Sequence, residues 1–195
     1  MNGPCLERSA ERDAALRAML PHVPALGWSE SALRAGLRDI GADAESAAWL
    51  FPRGPAGMAE AWSDLADRDM TAEAAGEGLH ELRVPARIRT LVAIRLQGQA
   101  AHREAVRRAL AILALPWNYA AAVRATARTV DAMWQAAGDA STDISFYTRR
   151  ATLAGVYGAT LGYWLRNPDP EAVLSFLDRR LADVARLQRP RRKAA

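Results

Sequence analysis

The 195-residue chain has one cysteine, Cys5, three histidines, and a single lysine, Lys193, among its 26 basic residues. A lone cysteine excludes a disulfide within the chain, which fits a reducing compartment. His22, His80 and His102 are scattered, and none has the spacing or a nearby cysteine that would build a zinc site. A glycine-rich phosphate loop and a nucleophile elbow are both missing, so no familiar catalytic motif is spelled out. The longest apolar stretch, 151–165, falls short of the roughly 20 residues a membrane-spanning helix needs. The opening MNGPCLERSAERDAAL carries Glu7, Glu11 and Asp13 and no apolar run, so it reads as neither a secretory signal nor a transit peptide. The formal charge is only +4, and much of it sits in the tail RPRRKAA, so charge alone does not point to nucleic acid.

What is present is helical. Half the residues are hydrophobic, enough for a sizeable core, and the periodicity is that of helices nearly throughout. Alternating strand patterns and hairpin dipeptides are missing. Residues 10–22 read as a first helix. Ser29 is a good N-cap for a second, which Gly41 ends. A short third helix starts from Asp43 and stops before Pro52. A fourth, about 56–70, puts Met58, Trp62 and Leu65 on one face. AAGEGL at 74–79 is a bend or join. Further helices follow from Pro85, over 102–114, and from Pro116 to about Ala137. Ser141, Thr142 and Asp143 open a long one to about Leu165, and Asp169-Pro170 starts the last, 170–188. The expected fold is all-α: a helix-turn-helix-like part at 10–72, then a larger bundle at 79–189 that includes the terminal amphipathic helix.

Four features stand out. Asp139 and Asp143 lie four apart, but capping is the commoner use of such aspartates. Ala151, Gly155, Gly158 and Gly162 keep one strip of the long helix low, which suits a tight helix–helix seam, within the subunit or across a dimer. The last helix carries Val173, Leu174, Leu177, Leu181, Val184 and Leu187 on one side and arginines mostly opposite. That pattern serves equally a membrane-surface helix and a helix packed on the bundle. Finally, GDASTDISFYTRR at 138–150 sets two aromatics beside two arginines just after a helix-start signal.

The layout of the first four helices resembles the DNA-binding part of TetR-type regulators. The short third helix, ADAESAAWLF, has no Arg, Lys, Asn or Gln and carries Asp43 and Glu45. Base edges and phosphates call for donors and cations, so no nucleic-acid partner is expected, and a TetR-type transcription regulator remains the alternative.

The segment VDAMWQAAGDASTDISFYTRRATLAGVYGATLGYWL resembles the signature of the COQ9 family of ubiquinone-biosynthesis proteins, and GWSESALRAGLRDIG, RVPARIRTLVAIRL and HREAVRRALAILALPWN are similar to family segments too. The resemblance implies a TetR-like homodimer that is not an enzyme and uses no cofactor or metal. Such a protein binds an isoprenoid or quinone lipid in its C-terminal bundle. It presents that lipid to a COQ7-type hydroxylase and reaches the membrane surface through its last helix. Transferred here, the partner-facing patch is Asp143, Phe146, Tyr147, Arg149 and Arg150, with Met133 and Trp134 nearby. Aromatics beside arginines are the residue types favoured at binding hot spots. Candidate lipid-lining residues are Leu91, Ile94, Leu110, Leu113, Val130, Met133 and Leu153, all types that are core by default. The arginine-rich composition suggests a bacterial protein, cytoplasmic and peripheral to the inner membrane.

Overall fold

A computed structural model describes residues 6–139 and 144–188. Its helices are α1 (Ala10–Met19), α2 (Val23–Leu26), α3 (Glu30–Asp39), α4 (Ala47–Leu50), α5 (Gly54–Ala74), α6 (Val84–Gln97), α7 (Arg103–Leu113), α8 (Tyr119–Ala136), α9 (Ile144–Trp164) and α10 (Pro170–Gln188), with single turns of 3-10 helix between some of them. Among the described residues there is no strand. The all-α expectation holds.

The local start signals behave as their chemistry requires. Ser9 and Ser29 accept hydrogen bonds from the N–H groups of Arg12 and Ala32, each satisfying one donor that the first helical turn leaves free. The Asp169 carboxylate accepts from the Glu171 N–H at 3.0 Å, and Pro170 takes the first helical position, where its missing N–H costs nothing. Pro21 cannot donate, and the first helix gives way at Leu20 to a 3-10 turn and then to α2. The expected break at 74–79 is real: α5 ends at Ala74, and Gly78 sits at a φ of 60°.

The chain forms two compact units that are not contiguous in sequence. The first comprises the described residues through Asp69 together with Gly98–Thr129; the second comprises Met70–Gln97 and the described residues from Val130 onward. Residues 98–129, read from sequence as part of the C-terminal bundle, therefore pack with the N-terminal helices.

In the first unit α1 lies against α3. A Cβ at Gly36 would come within 2.5 Å of the α1 backbone at Ala18 and Met19, so only glycine permits this approach. Leu16, Met19, Leu33 and Leu37 are wholly buried in the seam, each worth about 1.5–3 kcal/mol by the usual transfer figures. Trp28 packs on Trp62 at 5.1 Å between ring centres. Its Nε1–H donates to the Ala105 carbonyl at 3.0 Å, which ties α7 into the same core. Met58, Trp62 and Leu65 of α5 are all buried, as their spacing predicts. The opposite flank of α5 is polar and also buried. Asp64 takes Arg8 and Arg68, Thr129 donates to Asp67, and Glu60 takes Arg53, Arg124 and Arg128.

In the second unit α10 packs along α9 and touches α6. Val173 and Leu177 are its buried residues, the Tyr163 and Phe176 rings stack at 4.4 Å, and Arg89 pairs with Asp178 at 2.5 Å. The Arg87 guanidinium donates to the carbonyls of Leu82, His80 and Ala137, pinning the approach to α6 and the end of α8 together.

Candidate functional site

The second unit contains a mostly apolar cavity of about 380 Å³. Its walls come from four helices: Val84, Pro85 and Ile88 of α6, Trp134 of α8, Arg149, Thr152, Leu153 and Val156 of α9, and Leu181, Val184 and Ala185 of α10. Each lends an aliphatic or aromatic surface, and the volume lies in the range of small-molecule sites. Two polar groups bear on it. The Thr152 hydroxyl donates back to the Thr148 carbonyl at 2.8 Å, which removes its proton from the site. Arg149 reaches Asp139 through Nη1 at 3.1 Å and is otherwise half-exposed. The Trp134 Nε1–H is buried in the wall and has no hydrogen-bond partner among the described residues, an uncommon and costly state for an indole.

Of the sequence-derived lining set, Leu153 borders the cavity. Leu91, Ile94, Val130 and Met133 are instead core residues of the second unit, and Leu110 and Leu113 belong to the first unit, with Leu110 partly exposed. The α10 residues that do border it, Leu181, Val184 and Ala185, come from the helix read as membrane-facing or bundle-packed. In this structure Val173 and Leu177 are buried against the subunit, Leu174 is half-buried, and Leu181 and Val184 close one side of the cavity. The side chain of Leu187 lies outside the described residues.

The aromatic–arginine string forms one connected cluster at the start of α9. The Arg150 guanidinium lies 3.3 Å over the Phe146 ring, and Phe146 meets Tyr147 edge-on at 5.1 Å. Arg150 is fixed from the other side by Asp131 and, at 3.5 Å, by Asp139. Asp139, read from sequence as a capping residue, is therefore a largely buried counter-ion for both arginines. Tyr147 is 75% exposed, so one aromatic of the pair faces solvent while the other is clamped. Met133, expected beside this patch, is fully buried, out of reach of a protein partner. Asp143 lies outside the described residues.

The small-residue strip of α9 faces outward. A Cβ on Gly155, Gly158 or Gly162 would meet nothing within 4 Å, and Ala151 is exposed. Among the described residues nothing packs closely into the strip. Among the described residues no helix is long and apolar enough to cross a membrane, and no group of three or more His, Cys, Asp or Glu is placed to hold a metal.

Sequence reasoning missed the Glu60 cluster entirely. Glu60 is 1% exposed. Burial opposes its charge, but hydrogen bonds from Arg124, Arg128 and Arg53 prevail and hold its pKa at about 2. The available signal was that Glu60 lies on the side of α5 opposite Met58, Trp62 and Leu65, together with Asp64 and Asp67. Two of its partners, Arg124 and Arg128, lie more than sixty residues away on α8, beyond any local pattern.

Comparison with known proteins sets these features in context. The COQ9 family pattern matches residues 119–188, a span that contains the aromatic–arginine cluster, all of α9 and α10, and most of the cavity wall. The chain is 33% identical over 178 residues to the ubiquinone biosynthesis protein COQ9, mitochondrial, of Homo sapiens, covering 87% of this chain and 56% of that protein. It is 32% identical over 178 residues to COQ9-A, mitochondrial, of Xenopus laevis, with the same coverage. The chain spans a little over half the length of these curated relatives. Its fold superposes on the crystal structure of a TetR transcriptional regulator from Nitrosomonas europaea with a TM-score of 0.71, over 91% of this chain and 99% of that one, at 23% identity. The chain is thus similar to the COQ9 proteins over most of its own length, and its fold is all-α and TetR-like.

Proposed function

We propose that this protein is a non-catalytic accessory factor of ubiquinone biosynthesis. It holds an isoprenoid or quinone lipid in the cavity of the second unit and presents it to a COQ7-type hydroxylase. The observation that carries this reading is the cavity itself: an apolar space built from α6, α8, α9 and α10 inside the region of COQ9 similarity. An isoprenoid tail requires such walls and little else. Because α10 closes one side, lifting its outer half would open the cavity and free Leu181 and Val184 to meet a bilayer, which joins lipid entry to peripheral membrane contact in one movement. The hydroxylase would dock on Tyr147 and Arg149, with Phe146 and Arg150 held rigid behind them so that binding orders few side chains. The exposed strip Ala151, Gly155, Gly158 and Gly162 would serve as the homodimer seam, since it is unfilled within the subunit.

The shared fold raises the alternative of a DNA-binding regulator. The surface of the short third helix argues against it. Glu45 is exposed and holds Arg34, which also pairs with Glu30, and the exposed apolar residue of α4 is Trp49. Phosphate and base edges find no free cation there.

Solvent extraction of the purified protein followed by mass spectrometry tests the reading. A stoichiometric isoprenoid or quinone lipid, lost in Leu153→Trp, is expected. A folded protein that yields no lipid, or a Leu153→Trp variant that retains a full complement, would overturn it. Tyr147→Ala should weaken hydroxylase binding while leaving the lipid in place.

A further inference from the structure

The corner between α7 and α8, wholly within the first unit, gathers five exposed large hydrophobic side chains. Residues 109–123, ALAILALPWNYAAAV, contain no charged side chain. They fold as the end of α7, one 3-10 turn, and the first turns of α8. The turn is rigid: Asn118, the segment's one amide side chain, donates through Nδ2 to the Ile112 carbonyl at 2.8 Å, and its backbone N–H bonds the Leu115 carbonyl. What this rigid corner presents to solvent is Trp117, 77% exposed, and Tyr119, 71% exposed, with Leu110, Leu115 and Val123 around them. Beneath Trp117 and Leu115 runs an open cleft of about 460 Å³, bordered by Leu26, Trp28 and Pro55. Contiguous exposed apolar surface of this kind marks an interaction site.

The charges around the corner specify the partner. Arg53 borders the same cleft, and an Arg108 guanidinium nitrogen stands 4.0 Å from where a Cβ on Gly27, another cleft residue, would lie. Arg107 and Arg108 share one carboxylate, Glu104, while Arg53, Arg124 and Arg128 share another, Glu60. Arg53, Arg124 and Arg128 thus answer to the single carboxylate of Glu60, leaving positive charge in excess behind an uncharged tip. A second copy of the chain meeting this face symmetrically would set that excess against itself. A nucleic acid would find the cations but would have to cover an aromatic, aliphatic tip. A bilayer surface containing anionic lipid fits both parts. Trp and Tyr favour the headgroup boundary, aliphatic side chains enter the acyl region, and arginines lie level with phosphates.

We propose that the α7–α8 corner is a membrane-docking surface for anionic bilayers, with Trp117 and Tyr119 inserted at the headgroup boundary and the surrounding arginines on lipid phosphates. It is separate from α10 and does not depend on the cavity holding lipid.

Vesicle flotation of the full chain tests this, with phosphatidylcholine alone or mixed with phosphatidylglycerol. Wild type is expected to float with the mixed vesicles and to lose binding as salt rises. Trp117→Ser with Tyr119→Ser should lower the partition coefficient about tenfold or more, as loss of two interfacial anchors implies. Both side chains are exposed, so the thermal melt should not move. Arg107→Gln with Arg108→Gln should reduce binding to the mixed vesicles and not to phosphatidylcholine. Wild-type flotation by the Trp117/Tyr119 variant would overturn the proposal and assign membrane contact elsewhere. So would a variant whose flotation is unchanged but whose sedimentation shows a lost oligomer, since the corner would then be a protein contact. Lipid extracted from the cavity should be the same in wild type and variants, so failure here stays distinct from failure of the lipid-carrier reading.

Discussion

Replacing Glu60 with glutamine is the sharpest test of how the first unit is held together. The side chain is almost wholly buried on α5 and accepts from Arg53, Arg124 and Arg128 at 2.5, 3.0 and 2.7 Å. Its pKa is held at about 2, against an ordinary 4.5. At about 1.4 kcal/mol per pH unit, the charged form is favoured in the folded state by about 3 kcal/mol at neutral pH. Removing one partner of a buried ion cluster independently predicts a loss of about 3–5 kcal/mol, because the guanidinium groups remain without their counter-charge. The sign of the pH dependence follows from the depressed folded-state value. The contribution is fully present above about 4.5, the unfolded value, and is lost as pH falls through about 2. By about pH 3 roughly 2 kcal/mol of it should be gone. Urea unfolding of wild type and Glu60→Gln between neutral pH and about pH 3 measures this directly. The gap between the two proteins should be largest at neutral pH and close on acidification. Equal stabilities at neutral pH, or a gap that does not change with pH, would refute an ionised Glu60 clamped by three arginines.

Two further outcomes are expected. Leu177→Ala, at a fully buried position of α10, should cost about 2–5 kcal/mol in chemical unfolding; a loss well under 1 kcal/mol would mean that α10 does not rest on the subunit. Gly158→Trp adds a side chain where nothing lies within 4 Å, so the subunit should fold unchanged while sedimentation shows a monomer; a persisting dimer would move the seam off this face of α9.

The parts legible in the sequence are those decided by neighbours in the chain. Ser29 and Asp169 cap helices because a hydroxyl or carboxylate two or three residues from a free N–H can reach it whatever the rest of the protein does. The burial of Met58, Trp62 and Leu65 follows from the helical repeat alone. The likeness to COQ9 proteins rested on an ordered string of residues, and such a string needs no coordinates to be recognised. Tertiary structure decided which buried face meets which. The helical repeat marks Leu91, Val130 and Met133 as inward-facing, but a core and a cavity wall call for the same side chains, and the approach of α10 made Leu181 and Val184 part of the wall instead. Asp139 looked like a cap and became the counter-ion of Arg149 and Arg150, because the turn out of α8 at Gly138, with a φ of 81°, carries it toward α9. Glu60 meets Arg124 and Arg128 only through folding, since a charge pair across more than sixty residues of chain leaves no periodic trace. The exposure of Trp117 and Tyr119 was equally hidden: composition marks them as core material, and only the packed unit shows them open to solvent among the described residues.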